Sequence, residues 1–215
     1  MGYESPMPVQ EEVIPFLLGD DNDVIALAQT GTGKTAAFGL PILQKIDVTT
    51  YHPQALVLCP TRELCLQIAD DLNDYSKYID NLKVLPVYGG SSIESQIKTL
   101  KRGVHVVVAT PGRLLDLMNR KTVDLSLVKN VIMDEADEML NMGFTDSINA
   151  ILAEVPENRN MLLFSATMPK EIANITKKYM KNPKEIVIGN KNEGNKNIRD
   201  IYYMVQALSL IHISE

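Results

Sequence analysis

Val24-Ile25-Ala26-Leu27-Ala28-Gln29-Thr30-Gly31-Thr32-Gly33-Lys34-Thr35 decides how this chain folds. Four apolar residues run straight into a glycine-bearing turn that ends in Lys-Thr. A short continuous apolar run rich in β-branched residues suits a strand buried on both faces. The turn matches G-x-x-x-x-G-K-[ST] except that Ala28 replaces the first glycine. Gly31 and Gly33 let the backbone curl until its N–H groups converge on phosphate oxygens. A helix opening near Lys34 points its N-terminus at the same anion. Lys34 is expected to neutralise β- and γ-phosphates and Thr35 to ligate Mg²⁺, with Gln29, Thr30 and Thr32 completing the cradle. A glycine-rich turn that merely caps a helix is the alternative. The Lys-Thr pair and the preceding strand weigh against it.

A second apolar run, Val131–Met133, ends in Asp134-Glu135-Ala136-Asp137. Asp134 is expected to hold Mg²⁺ through water. Glu135 is expected to orient and deprotonate an attacking water as general base. Lys34, Asp134 and Glu135 are therefore the candidate catalytic residues. Alone, the tetrapeptide would read as a solvated acidic turn. After an apolar strand, in a chain with a phosphate loop, it does not. The two elements together predict a chain that handles ATP or GTP.

The bulk properties narrow the reading. A chain of 215 residues, 45% hydrophobic, suits one ordinary globular domain with a full core and has room for a piece of a second. Its net charge of −6 argues against nucleic-acid binding by bulk charge. Any such contact must be local, through backbone N–H groups and a few placed Arg and Lys residues. Cys59 and Cys65 form no CxxC pair, no apolar run is long enough to span a bilayer, and no signal peptide is visible. A cytoplasmic chain with reduced thiols and no membrane partner is expected.

Further short apolar runs at Ala55–Cys59, Val104–Ala109 and Met161–Phe164 predict more buried strands. Between them lie helical faces: Ile93, Ile97 and Leu100; Ile148, Ile151, Leu152 and Val155; Ile172, Ile175 and Tyr179. Alternating strands and helices predict an α/β fold with a mostly parallel sheet and helices on both faces. Ligands in such sheets bind beyond the carboxyl ends of the strands. Composition changes at Gly189: residues 1–189 read as one domain, 190–200 as a polar, glycine-bearing linker, and 201–207 as the first strand of a following domain.

With these elements in order, the chain resembles the first RecA-like domain of a DEAD-box RNA helicase, bacterial in style, over Gly2 to about Ala207. Gly2-Tyr3-Glu4-Ser5-Pro6-Met7-Pro8-Val9-Gln10 resembles that family's Q motif, whose glutamine reads adenine. A glutamine amide matches the N6/N7 edge of adenine and mismatches guanine. The resemblance therefore implies ATP. Alone, Gln10 would be an ordinary helix-start residue. Pro60-Thr61-Arg62-Glu63-Leu64 resembles motif Ia, Gly89-Gly90 the GG element, and Thr110-Pro111-Gly112-Arg113 motif Ib. In the family these line the RNA path and touch its sugar-phosphate backbone, which implies low sequence specificity. Ser165-Ala166-Thr167 resembles motif III, which bonds to the DEAD segment and couples hydrolysis to strand separation. Asp137, Ser165 and Thr167 are the implied coupling residues. A helix-capping role for Thr167 ahead of Pro169 is compatible with this.

The resemblance also implies what is missing. The aromatic that packs on adenine would precede Met1. The second RecA-like domain, a source of arginine fingers and half the RNA cleft, is expected to lie outside this chain, which alone should bind nucleotide weakly and turn it over poorly. Leu208–Glu215 reads in one frame as the transposon end used in sequencing-library adaptors, so 208–215 is expected to be a non-native tail. Two rivals stand beside the helicase: another P-loop ATPase such as a DNA helicase, and a RecA-like module that binds nucleotide without turnover. Asp20, Asp21 and Asp23 suggest a cation loop but fit a solvated turn better. Cys59, Cys65, Met139 and Met142 are expected to pack, and His52 and His105 have no visible partner for catalysis or metal.

Overall fold

The computed structural model describes residues 5–19 and 23–188. Its elements run α1 (Pro8–Leu18), β1 (Val24–Leu27), α2 (Lys34–Gln44), β2 (Ala55–Leu58), α3 (Arg62–Tyr75), β3 (Val84–Val87), α4 (Ile93–Lys101), β4 (Val106–Ala109), α5 (Pro111–Asn119), β5 (Asn130–Met133), α6 (Ala136–Asn141), α7 (Thr145–Glu154), β6 (Asn160–Ser165), α8 (Lys170–Tyr179) and β7 (Lys184–Val187).

The strands form one sheet in the order β3-β4-β2-β5-β6-β1-β7. Every pairing is parallel, with Leu27 beside Ser165 and Met133 beside Leu163. All residues of β1, β2, β4 and β5 are buried. That is why these strands read as continuous apolar runs: helices cover both faces, and alternate side chains enter different cores. Ile25, Leu27, Leu56 and Leu58 pack with Leu114, Met139, Ile148 and Ile172 on one face. Val24, Ala26, Ala55 and Val57 pack with Val13, Phe38, Ile68 and Phe164 on the other. Each fully buried Leu, Ile or Phe contributes roughly 1.5–3 kcal/mol of transfer free energy. The rings of Phe38 and Phe164 meet with centroids 5.4 Å apart, which seats α2 on β6.

Two strands escape the apolar-run reading, and both are edges. In β3 the pattern alternates half-buried and buried and includes Pro86, which an edge strand tolerates because no ladder needs its N–H. In β7 only Ile186 is buried. Val155 lies beyond the end of α7, in extended backbone, yet is buried.

Asp23 is not the solvated turn residue its neighbours suggest. It is buried, and its Oδ1 accepts the Met161 N–H at 2.7 Å while its Oδ2 accepts that of Lys181. It ties the starts of β1 and β6 to the approach to β7. His105 is likewise buried and structural: Nδ1 accepts the Lys83 N–H at 3.0 Å and Nε2 lies 3.2 Å from the Val48 carbonyl. Met139 packs as expected, whereas Met142 is 48% exposed and does not. Cys59 and Cys65 are buried free thiols. Donation of the Cys59 S–H to the Cys65 sulfur, reinforced by burial, pushes the Cys59 thiol far up and keeps it protonated. The linker, the strand at 201–207, the tail at 208–215, Asp20 and Asp21 lie outside the described residues. Among the described residues no helix is long and apolar enough to cross a membrane.

Candidate functional site

The sheet order sorts the motifs into two groups along one edge. The phosphate loop follows β1, the Asp134-Glu135 turn follows β5, and Ser165–Thr167 ends β6. These are adjacent strands, β5-β6-β1. The three loops expected to line an RNA path follow β2, β3 and β4, which are the other adjacent group, β3-β4-β2.

In the first group, the backbone of the loop takes the curl its glycines allow. Gly31 has φ +80° with open space where a Cβ would stand. Gly33 has φ +81° and is the N-cap of α2. A Cβ there would lie 2.5 Å from Gln10 Nε2 and 2.8 Å from Met7 Sδ. Ala28, which replaces the first glycine of the pattern, is absent from the positive-φ positions and donates its N–H to the Ser165 carbonyl at 3.0 Å. It continues the β1–β6 ladder, so nothing demands glycine there. Thr32 Oγ1 closes the loop by donating to the Gln29 carbonyl at 2.8 Å. Thr35 is half-buried in the first turn of α2.

Lys34 Nζ lies 3.5 Å from Asp134 Oδ1, with both side chains almost fully buried. Burial pushes the Asp134 carboxyl above its usual value, and the Lys34 charge only partly offsets this. A desolvated carboxylate beside one cation, with the Thr35 hydroxyl in the adjoining helix turn, fits a site for a second, divalent cation. Glu135 stands in the left-handed region, φ 51° and ψ 50°, as N-cap of α6. A non-glycine residue is held there only when its surroundings impose it, and such strain clusters at functional sites. Its Oε1 accepts from Thr30 Oγ1 at 3.3 Å, so the phosphate loop and the acidic turn touch.

Gln10 has two roles. Its Oε1 accepts the Met7 N–H at 2.9 Å, closing a capping box on α1. Its Nε2 donates to the Gly33 carbonyl at 3.2 Å. The helix-start residue thus also braces the phosphate loop. On the other side, Thr167 donates its N–H and its hydroxyl to Asp137 Oδ2, and Ser165 Oγ donates to the Thr167 carbonyl at 2.7 Å. Thr167 is not a helix cap; Pro169 precedes α8 and no side chain caps it.

In the second group, Thr61 caps α3, its hydroxyl accepting from Leu64 N–H at 3.2 Å, and Thr110 precedes Pro111 at the start of α5. Pro60 and Pro111 are buried and shape their turns. Arg62, Gly89, Gly90 and Gly112 are exposed. The Arg62 guanidinium lies 5.0 Å from the centroid of the Tyr88 ring. Arg113 faces inward: Nη1 and Nη2 each donate to the Ser91 carbonyl at 3.2 Å, and Nη1 also donates to Gln96 Oε1 at 3.1 Å. Sequence reading missed Gln96 and Tyr88. Gln96 is buried on α4. The signal that could have found it is its place beside Ile93, Ile97 and Leu100, on the face that turns inward.

Comparisons with known proteins agree with this fold. The family model described as DEAD/DEAH box helicase matches residues 7–175. The chain is 51% identical over 205 residues to the ATP-dependent RNA helicase DeaD of Mycobacterium tuberculosis (strain ATCC 25618 / H37Rv), covering 95% of this chain and 36% of the relative. It is 47% identical over 205 residues to the ATP-dependent RNA helicase DeaD of Escherichia coli (strain K12), covering 95% and 32%. It is also similar to the crystal structure of a DEAD box protein from the hyperthermophile Methanococcus jannaschii, with TM-score 0.82 and 46% identity over 86% of this chain and 50% of that one. The chain spans about a third of the length of the curated relatives it matches.

Proposed function

The chain belongs to the DEAD/DEAH box helicase family, and from that premise we propose that it is the ATP-binding RecA-like domain of a protein that couples ATP hydrolysis to local unwinding of RNA. The observation that carries this reading is the division of one sheet edge. Lys34, Asp134, Glu135 and Thr30 meet at the ends of β1 and β5, and three backbone-exposing loops follow β2, β3 and β4. Its relatives are named ATP-dependent RNA helicases, and they run far beyond the span of this chain. The activity is therefore proposed of the whole protein, with a second RecA-like domain completing the cleft and cytoplasmic RNA as substrate.

Each residue has a part in that chemistry. Backbone N–H groups of 29–33 and the N-terminus of α2 would cradle phosphate oxygens. Lys34 would add a point charge. Asp134 and Thr35 would hold Mg²⁺, which supplies neutralisation of the phosphate oxygens. Glu135, half-buried and held by Thr30, would take the proton from the attacking water. Gln10 would recognise adenine by exchanging its present partners for the base edge. An arginine finger from the second domain would be worth about 10³–10⁵ in rate, so this domain alone should turn over slowly. On the other half of the edge, Thr61, Arg62, Gly89, Gly90, Thr110 and Gly112 would meet the RNA backbone through N–H groups, hydroxyls and one exposed guanidinium. Such contacts carry no base information.

The test is ATP hydrolysis by the intact protein with and without single-stranded RNA, and unwinding of a short RNA duplex with ATP or GTP. Hydrolysis that RNA stimulates, with ATP preferred, is expected. Hydrolysis indifferent to RNA, or stimulated only by DNA, would move the chain to another class of P-loop ATPase.

A further inference from the structure

We infer that Gln96 and Arg113 form an internal clamp that presets the Gly89-Gly90 turn, so that Arg113 acts on RNA binding as a positioning residue and not as a phosphate ligand. The inference rests on the RNA path proposed above. Gly89 and Gly90 are exposed and have no side chains with which to hold a conformation. Gly90 stands at φ +80°, which glycine adopts without strain but shares with many alternatives. The turn must therefore be fixed from its flanks. Both flanks are held by the same pair of residues. Before the glycines, the Tyr88 carbonyl accepts from Gln96 Nε2 at 3.1 Å. After them, the Ser91 carbonyl accepts both Nη groups of Arg113 at 3.2 Å, and Ser91 Oγ pairs with Gln96 Nε2 at 2.6 Å. Arg113 and Gln96 are themselves joined at 3.1 Å.

The clamp links all three loops. Arg113 lies in the first turn of α5, which the Thr110–Gly112 segment opens. Gln96 belongs to α4 and is 6% exposed, so its amide is committed to these partners. The Tyr88 ring carries the Arg62 guanidinium of the third loop at 5.0 Å. The planar fork of a guanidinium can serve two acceptors at once, where an ammonium acts as a point charge. Arg113 uses that fork on Ser91 and Gln96. Removing Arg113 takes both guanidinium donors from the Ser91 carbonyl, and removing Gln96 leaves the Tyr88 carbonyl only the long bond from Ser91 Oγ at 3.4 Å. Either change loosens the glycine turn, which RNA would then have to order on binding.

The experiment measures single-stranded RNA binding by the intact protein, with a non-hydrolysable ATP analogue, across a salt series. The variants are Arg113→Ala, Arg113→Lys, Gln96→Ala, the double Gln96→Ala/Arg113→Ala, and Arg62→Ala, each checked for folding by thermal melting. A clamp predicts that Arg113→Ala and Gln96→Ala each weaken binding several-fold with the salt slope unchanged, and that the double variant is little worse than either single one. Arg113→Lys keeps the charge and loses the fork, so it should bind as weakly as Arg113→Ala. A phosphate ligand predicts the reverse: Arg113→Ala lowers the slope by about 0.7, Arg113→Lys binds nearly as the parent, and Gln96→Ala has no effect. That result overturns the inference. Binding unchanged in every variant, Arg62→Ala included, would remove the RNA path itself and the clamp with it.

Discussion

Thr167 places both of its donors on one oxygen of Asp137, the backbone N–H at 2.9 Å and the hydroxyl at 2.8 Å. Asp137 sits in the first turn of α6, next to the acidic turn that faces the phosphate loop. A shift of Glu135 during the ATP cycle would thus reach the segment after β6 through one short, bonded path. Thr167→Val keeps the shape and removes the hydroxyl donor. A hydrogen bond to a charged group is worth about 1.5–3 kcal/mol, so unwinding by the intact protein should fall about tenfold or more. RNA-stimulated hydrolysis should fall much less. Equal loss of both, measured side by side, would deny this bond a coupling role.

Lys34→Ala removes the buried cation 3.5 Å from Asp134. ATP affinity should drop sharply, as read by titration with a fluorescent nucleotide, and turnover should drop with it. Without Lys34 the Asp134 carboxyl loses the charge that opposes its desolvation, so its pKa should rise further. ATP affinity equal to that of the parent would remove the phosphate-cradle assignment.

Glu135→Gln separates binding from chemistry. The amide keeps the size of the side chain and an acceptor for Thr30 Oγ1 but cannot take a proton. ATP-dependent RNA binding should persist while turnover falls about 10²–10⁴, the usual share of a general base. Single-turnover rates decide the matter: a normal rate per bound ATP would free Glu135 from that role.

His105 makes stability depend on pH. Burial lowers its pKa below the ordinary value, with the Val48 carbonyl opposing. The unfolded chain therefore binds this proton more readily than the folded one, and the folded state loses stability as pH falls below about 6.5. The loss continues until the lower folded-state value is reached. Denaturant unfolding at pH 7.5 and 5.5 should show a larger drop for the parent than for His105→Gln. An equal drop in the two proteins would mean that His105 titrates as freely in the fold as outside it.

Much of the site was legible because its chemistry is local. A glycine-bearing turn ending in Lys34-Thr35 encodes a phosphate loop in the residues themselves, whatever lies around it. The Asp134-Glu135 turn and the Thr61 and Thr110 loops are likewise strings at strand ends, and the continuous apolar runs before them announce strands covered on both faces. Edge strands were less legible, since β3 and β7 bury only part of their surface and lose the apolar signal that exposes β1 or β5. Asp23 and Gln96 were illegible for a related reason. A polar residue looks solvated until tertiary neighbours supply the N–H groups and carbonyls that allow it to be buried.

The amino-acid sequence by itself determined which segments are candidates for phosphate, acid-base and backbone-binding chemistry, because each motif depends on residues a few positions apart. Only the tertiary structure decided which of those segments are neighbours. Strand order is set by pairing between residues up to well over a hundred positions apart, such as Leu27 with Ser165, and no local string encodes it. That order puts β5, β6 and β1 side by side beneath the proposed nucleotide site and β3, β4 and β2 side by side beneath the proposed RNA path. It also turns Arg113 inward onto Ser91 and Gln96, because the guanidinium finds two fixed acceptors there and its charge-bearing sequence context could not reveal them.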